Sequence, residues 1–363
     1  MKKFIISGGG TGGHIYPAIA IADEIMRRNG KHEVLFVGAE GKMEMEKVPK
    51  AGYRIIGLPM RGLQRKLTLA NLSVPFRLLG SLWQAQKLIR DFGPDAVVGV
   101  GGYASGAVMQ IAAWANTPIL IQEQNSYAGL TNKLLAKAAS KICVAYPAME
   151  KYFPAAKIVF CGNPVRRDLH ALAGLRPKAL AHFGLAEGRK TVLVIGGSLG
   201  AKTINECFKT AVAPLLEAGH QLIWQTGKGY VAQVQATVVA RPGLFVSDFI
   251  YQMDLAYAAA DLVISRAGAL SISELCLAAK PAILVPSPNV AEDHQTKNAL
   301  ALVNQHAALL VRDEEANEKL LGTVLDLLAD EAKQQRLSAN IGQLAKPEAA
   351  KEIVDELFKL IEA

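Results

Sequence analysis

Apolar, β-branched runs alternate with stretches of helical period through most of the chain. In the first half these runs fall at 4–7, 34–37, 96–100, 118–122, 141–145 and 158–160. Short runs that are apolar throughout, each separated from the next by a helical pattern, predict a parallel, doubly wound α/β sheet. The stretch Gly162-Asn163-Pro164-Val165-Arg166 interrupts the alternation, and 171–190 carries little strand signal. From residue 191 the pattern restarts, with runs at 192–195, 221–225, 244–246, 262–265, 282–285 and 308–311. Two α/β domains are therefore expected, 1–165 and 166–345. A last helix over about 346–363 gathers Ile353, Val354, Leu357, Leu360 and Ile361 on one face, and it is expected to pack back on the first domain.

Glycine-rich turns follow several of the predicted strands. The first is Gly8-Gly9-Gly10-Thr11-Gly12-Gly13-His14, ahead of Pro17 and a helical pattern. Glycines let the backbone turn sharply beside a ligand, and the free N–H groups of the helix start favour an anion there. Gly8, Gly10 and Gly13 also satisfy the dinucleotide fingerprint, so this loop alone does not separate a nicotinamide enzyme from other phosphate binders. The device recurs, however, at 99–106 and again at Gly196-Gly197-Ser198-Leu199-Gly200 in the second half. Turns at the C-terminal ends of parallel strands are where such sheets bind ligands.

Composition narrows the partners. A chain of 363 residues suits two cores of ordinary size. Its net charge of +8 is uneven, with +10 on 1–165 and −2 on the remainder, so an anionic partner is expected for the first half. Cys143, Cys161, Cys207 and Cys276 form no C-x-x-C pair, and free thiols in a cytosolic protein fit them best. No His or carboxylate spacing marks a metal cluster, so neither a metal nor another cofactor is expected. No apolar run reaches the 18 or so residues of a spanning helix.

In the second half the densest chemistry lies in Ser265-Arg266-Ala267-Gly268-Ala269-Leu270-Ser271-Ile272-Ser273-Glu274, a passage from strand to helix. Its N–H groups suit a phosphate. A carboxylate one turn later suits the hydroxyls of a ribose, although Glu274 could instead serve its own helix dipole.

With these motifs together, the chain resembles the bacterial cell-wall N-acetylglucosaminyltransferases that act on undecaprenyl-linked muramyl pentapeptide. The resemblance is carried in order by Gly9 to His14, Gly101-Gly102-Tyr103, Glu123-Gln124-Asn125 with Gly129-Leu130-Thr131-Asn132-Lys133, Gly162 to Arg166, Gly196-Gly197-Ser198, and Gly268-Ala269-Leu270 with Glu274. It implies the GT-B fold, two Rossmann-like domains with parallel sheets facing across a cleft. It also implies inverting transfer of N-acetylglucosamine from UDP-N-acetylglucosamine to the lipid-linked muramyl sugar, lipid I, giving lipid II for peptidoglycan synthesis. The donor then falls to Ser198 at the diphosphate, Ile250 at the uracil, Ala269, Leu270, Ser271, Ile272 and Ser273 as donors, Glu274 at the ribose and Arg166 at the hinge. His294 and Gln295 would read sugar hydroxyls, while Thr11, Gly12, Gly13 and Asn125 would reach the donor sugar and the acceptor diphosphate. The chain departs from the family pattern at Gln122, where a His is usual, at His294, where a Gln is usual, and at Leu199 in place of Gln.

His14 and Glu123 compete as the base that removes the acceptor hydroxyl proton. An imidazole at a helix start is kept neutral by the dipole, and a carboxylate at a strand end faces the same crevice. Between Arg61 and Arg90, basic residues mix with Leu72, Phe76, Leu79, Leu82 and Trp83 at near-helical spacing. That segment either covers the sheet or lies on anionic lipid, and the charge asymmetry favours peripheral attachment to the cytoplasmic face of the bacterial inner membrane. Another GT-B nucleotide-sugar transferase is the nearest alternative. A nicotinamide oxidoreductase or a nucleic-acid binder explains only the first half, and no nucleic-acid partner is expected.

Overall fold

The computed structural model describes residues 1–60, 74–197, 199–290 and 293–362, leaving aside the side chains of 74–78, Tyr103 and Arg167. In chain order the elements are β1 (Lys3–Ser7), α1 (Gly12–Arg28), β2 (Glu33–Ala39), α2 (Glu44–Lys50), β3 (Arg54–Leu58), α3 (Val74–Phe92), β4 (Ala96–Gly99), α4 (Tyr103–Trp114), β5 (Ile119–Glu123), α5 (Leu130–Leu135), β6 (Lys141–Val144) and β7 (Ile158–Phe160). They continue with α6 (Arg176–Phe183), β8 (Thr191–Ile195), α7 (Lys202–Glu217), β9 (Gln221–Gln225), α8 (Val231–Thr237), β10 (Leu244–Ser247), α9 (Met253–Ala259) and β11 (Leu262–Ser265). The last are α10 (Ala269–Ala278), β12 (Ala282–Leu284), α11 (His294–Val303), β13 (Leu309–Leu310), α12 (Ala316–Ala329), α13 (Glu331–Gln343) and α14 (Ala349–Glu362).

The chain divides into one unit of Met1–Arg166 with Pro347–Ala363 and a second of Arg167–Lys346. Sheet one has seven strands in the order β3-β2-β1-β4-β5-β6-β7, and sheet two has six in the order β10-β9-β8-β11-β12-β13. All pairings are parallel. The strand β3 was not expected from the sequence, because Arg54-Ile55-Ile56-Gly57-Leu58 is short and carries a glycine; it forms the sheet edge beside β2. The helix α6 likewise occupies 176–183, within the segment that showed no strand signal.

Alternation along the strands sends side chains to two helix layers. In sheet one, Ile5, Val97, Ile121 and Ile142 meet Ile89, Met109 and Leu135, whereas Phe4, Ile6, Phe36 and Val98 meet Ile15, Ile21 and Ile25 of α1. Ile353, Val354 and Leu357 of α14 complete that second layer, so the C-terminal helix belongs to the first unit. Arg28 fastens it, with Nη2 donating to Asp355 at 2.6 Å and to the Lys351 carbonyl at 2.9 Å.

Each sheet reverses its winding beside its first strand, between β1 and β4 in one and between β8 and β11 in the other. Strands there leave in opposite directions, so the turns after them open a crevice at the C-terminal edge. The glycine turns 8–13 and 100–102 stand at one of these points, and 196–200 with 266–268 stand at the other.

Candidate active site

In the first unit, Ser7 ends β1 with its hydroxyl donating to the Val37 carbonyl at 3.1 Å, and the chain enters α1 through an extended Thr11. The N–H of His14 closes the first turn on the Thr11 carbonyl at 3.1 Å, which leaves the N–H groups of Gly12 and Gly13 ahead of that bond. The His14 ring lies over the loop, with Nδ1 at 3.1 Å from the Gly9 carbonyl and 3.2 Å from the Thr11 hydroxyl. The turn after β4 passes close by. A Cβ at Gly101, whose φ is +96°, would meet Nε2 and Cδ2 of His14 at 2.9 Å.

Glu123, at the end of β5, is buried and ties down the turn that follows. Its Oε1 accepts from the Asn125 N–H at 3.1 Å, and its Oε2 accepts from the Gly129 N–H at 3.0 Å and from Asn132 Nδ2 at 2.8 Å. Asn125 is thus held against Glu123. Gln122, the position that departs from the family pattern, is fully buried; its amide donates to Asn163 at 3.0 Å and accepts from Gln124. Asn163 in turn donates to the Gln124 carbonyl at 3.0 Å. That amide network joins the end of β5 to the turn after β7 that leads to Arg166.

In the second unit the turn after β8 contains Ser198, which lies outside the described residues. Its flanks are fixed by backbone packing. Gly200 and Gly227 both have positive φ, and a Cβ on Gly200 would fall 2.1 Å from the Thr226 carbonyl oxygen. Gln225, the last residue of β9, links the predicted donor position Ile250 to the residue before the predicted Ser198: its Nε2 donates to the Gly197 carbonyl at 3.1 Å and its Oε1 accepts from the Ile250 N–H at 3.0 Å. Both ends of one buried amide are used.

Ala269, Leu270, Ser271, Ile272 and Ser273 form the first turn and a half of α10 after Gly268, so the leading N–H groups are aimed out of the helix at the C-terminal edge of β11. Glu274 follows on that helix and accepts from the Tyr257 hydroxyl at 3.2 Å. Arg266 braces the same turn from below, donating to the Val285 and Pro286 carbonyls and to Asp313, which also accepts from the Thr203 hydroxyl at 2.9 Å. His294 and Gln295 open α11; Gln295 accepts from the Ser287 N–H at 2.8 Å. Cys276 on α10 is a core thiol whose pKa burial pushes up to about 12.

The predicted residues thus fall at two places. Thr11, Gly12, Gly13, His14, Glu123 and Asn125 gather at the crevice edge of sheet one, beside β1, β4 and β5, which are neighbours. Ile250, 269–274, His294 and Gln295 follow strands or turns at the corresponding edge of sheet two. Sequence reasoning missed Glu44, Gln225 and Tyr257. Each is distant in sequence from the loop it supports, and an isolated Glu, Gln or Tyr has no spacing that marks such a role.

The C-terminal domain model of glycosyltransferase family 28 matches residues 191–353, and the N-terminal domain model matches residues 4–144. A UDP-N-acetylglucosamine–N-acetylmuramyl-(pentapeptide) pyrophosphoryl-undecaprenol N-acetylglucosamine transferase of Porphyromonas gingivalis is 56% identical over 363 residues, covering 99% of this chain and 96% of that protein. The protein of the same name from Parabacteroides distasonis is 56% identical over 366 residues, with both chains fully covered at 100%. Among solved structures, Acinetobacter baumannii MurG superposes with a TM-score of 0.78 at 30% identity, over 99% of this chain and 100% of that one. The fold is therefore GT-B, and the chain belongs to glycosyltransferase family 28.

Proposed function

We propose that the protein transfers N-acetylglucosamine from UDP-N-acetylglucosamine to the muramyl sugar of undecaprenyl-diphosphate-linked muramyl pentapeptide, with inversion. The observation that carries this is identity above half, over full length, with relatives named for that reaction. The product is lipid II, the disaccharide precursor of the cell wall. In the reaction the acceptor oxygen bonds to the anomeric carbon as the bond from that carbon to UDP breaks. UDP leaves with the electron pair, and the hydroxyl proton passes to a base.

The donor role falls to the second unit. The N–H groups of Ala269, Leu270 and Ser271, with the turn holding Ser198, take the diphosphate and stabilise the charge that grows on it; the Ile272 N–H is spent on the Gly268 carbonyl at 3.0 Å, so Ile272 and Ser273 serve that turn by extending the helix behind it rather than as backbone donors. Glu274 takes the ribose hydroxyls, Ile250 lines the uracil, Arg166 serves the donor, and His294 and Gln295 contact the sugar. From the first unit, Thr11, Gly12, Gly13 and Asn125 serve the donor sugar and the acceptor diphosphate. His14 is the base. The Glu123 carboxylate accepts from Asn125, Gly129 and Asn132, which supports a positioning role for it instead.

The first unit also attaches to anionic lipid on the cytoplasmic face of the membrane. Among the described residues no helix is long and apolar enough to cross a bilayer. Leu79 and Trp83 of α3, Trp114 of α4, and Leu130 and Leu134 of α5 are each at least 65% exposed, on helices that pack side by side. Lys87 and Arg90 lie on α3, Lys133 on α5 and Lys137 two residues past it, and apolar side chains on elements that also carry cations suit a headgroup boundary. Leu72, the basic residues from Arg61 to Lys66, and the side chains of Phe76 and Arg77 lie outside what is described. Supplying UDP-N-acetylglucosamine and the lipid-linked muramyl acceptor should yield UDP and the lipid-linked disaccharide. Turnover with a soluble acceptor and none with the lipid-linked one would point to a different nucleotide-sugar transferase.

A further inference from the structure

Glu44 is an acidic residue that is almost fully buried, with 1% of its surface exposed, at the start of α2. Burying a carboxylate is costly unless its oxygens are hydrogen-bonded. Here Oε1 accepts from the Ala39 N–H at 3.0 Å and Oε2 accepts from the Gly10 N–H at 2.9 Å. The side chain occupies space that two glycines vacate. A Cβ on Gly9 would sit 2.2 Å from Oε1, and one on Gly38 would sit 2.5 Å from Cγ.

The Gly10 N–H belongs to the same peptide group as the Gly9 carbonyl, which lies 3.1 Å from Nδ1 of His14. No described peptide bond is cis, so the N–H and C=O of this group point in opposite directions, one to Glu44 and one to the imidazole. A carbonyl oxygen can only accept. The tautomer with the ring proton on Nδ1 satisfies this oxygen and leaves the ring lone pair on Nε2; the Thr11 hydroxyl, 3.2 Å from Nδ1, can accept from that proton or donate in its absence.

We infer that Glu44, Gly9-Gly10 and His14 form a peptide-bridged dyad, in which Glu44 is a positioning residue that orients the base and fixes its tautomer. The inference rests on His14 being the base. The carboxylate holds the peptide plane and polarises it, so that the Gly9 oxygen is a stronger acceptor for Nδ1–H. Charge-assisted bonds and linked bonds are both stronger than isolated neutral ones. In a His-Asp pair the carboxylate touches the ring directly; here one amide stands between them. The imidazolium formed when Nε2 takes the acceptor proton is stabilised through that amide, and no group other than the ring changes its protonation.

The test joins nitrogen NMR of histidine-labelled full-length protein to pH profiles of turnover, with His14→Gln used to assign the signal. The parent should carry the His14 proton on Nδ1. Glu44→Gln keeps the size, removes the charge and leaves only one acceptor oxygen for the Gly10 and Ala39 N–H groups, so its folded fraction is measured alongside. It should leave UDP affinity unchanged, lower kcat roughly ten- to hundredfold, the range for groups that support a working residue, and mix the His14 tautomers. The acidic limb of its kcat profile should move to lower pH, because a nearby negative charge raises the pKa of an imidazolium. A purely structural role would lower the folded fraction and move neither tautomer nor limb, and that result overturns the inference. So does a parent spectrum with the proton on Nε2, which decides against it even if Glu44→Gln does not fold. Parental turnover in His14→Ala would instead remove the base assignment while leaving the tautomer result to stand, so the two failures are distinct.

Discussion

The hydroxyl of Tyr257 donates to Oε2 of Glu274 at 3.2 Å, and the tyrosine is fully buried within the second unit. A buried phenol that spends its donor on a carboxylate fixes the rotamer of that carboxylate before any ligand arrives. If Glu274 accepts from ribose hydroxyls, Glu274→Ala should weaken UDP binding by about 1–3 kcal/mol, the range for losing charge-assisted bonds. Tyr257→Phe should cost about 0.5–1.5 kcal/mol in the same titration, since it removes only the neighbour. Calorimetry with UDP and 2′,3′-dideoxy-UDP checks both. Equal affinity of the parent for the two nucleotides would rule out the ribose role.

Gly200 makes a second prediction for the donor side. Its φ of +80° disfavours any side chain, and the added Cβ would press on the Thr226 carbonyl, a backbone atom that cannot swing away. Gly200→Ala should therefore cost about 1–3 kcal/mol of stability and weaken UDP binding by opening the turn that leads to α7. A Cβ on Gly229, two residues past the Gly227 that packs on Gly200, would meet nothing within 4 Å, so Gly229→Ala serves as the control. Thermal melts of both variants, followed by UDP titration, separate a general loss of stability from a loss at the turn.

The alternation of apolar runs and helical periods was legible because every central strand is buried on both faces, and such strands stand out as unbroken apolar stretches. The runs at 221–225 and 262–265 coincide with β9 and β11. The edge strand β3 was not legible, since an edge needs less apolar surface and tolerates Gly57 and Arg54. Glycine loops were legible for a related reason: their chemistry is in the backbone and is local. What supports those loops is not local. Glu44 reaches Gly10 across 34 residues, and Gln225 reaches Gly197 across 28. Only the folding of one crossover against another brings such pairs together.

His32 predicts how the first unit responds to acid. Its ring packs against Phe4 and Phe358 with centroids 5.7 and 5.4 Å away, and its Nδ1 accepts from the Lys2 N–H at 3.1 Å. Burial lowers its pKa below the ordinary 6.5; the N-terminal amine and, more weakly, the Lys2 ammonium push the same way, while Asp95 and the Lys2 backbone contact oppose them. The unfolded chain thus binds this proton more readily than the folded one. Stability from His32 is present above about pH 6.5 and falls as the pH drops below it, because the protonated ring must hold its charge in a site that removes part of its water. Melting temperature should decline more steeply between pH 6.5 and 5 in the parent than in His32→Gln. Parallel slopes in the two proteins would rule out His32 as a contributor.

Exposed Trp83 and Leu134 predict lipid binding that depends on salt. Vesicles containing anionic lipid should bind the protein, and binding should weaken as salt rises, since exposed charges are screened beyond roughly 8 Å at physiological ionic strength. Replacing both residues by Ser should reduce partitioning without lowering the melting temperature, because neither side chain is part of the core. Unchanged partitioning of the double variant would remove this face from the membrane assignment.

His14 bears the sharpest prediction. General-base assistance is worth typically 10² to 10⁴ in rate, so His14→Ala should lose about that factor in kcat. Its UDP affinity should stay parental, because the proposed nucleotide contacts lie in the second unit apart from Arg166. A loss confined to kcat and kcat/KM identifies an interaction made in the transition state, whereas a rise in KM alone would mark ground-state binding. The acidic limb of the parent profile reports loss of neutral imidazole, and in His14→Ala that limb should vanish or move. Glu123→Gln is the comparison. Its carboxylate holds the Asn125 and Gly129 N–H groups, so the amide should disturb the turn and weaken acceptor use while the acidic limb stays in place. If the limb disappears with Glu123→Gln and survives His14→Ala, the base is Glu123, and His14 serves only to close the first turn of α1.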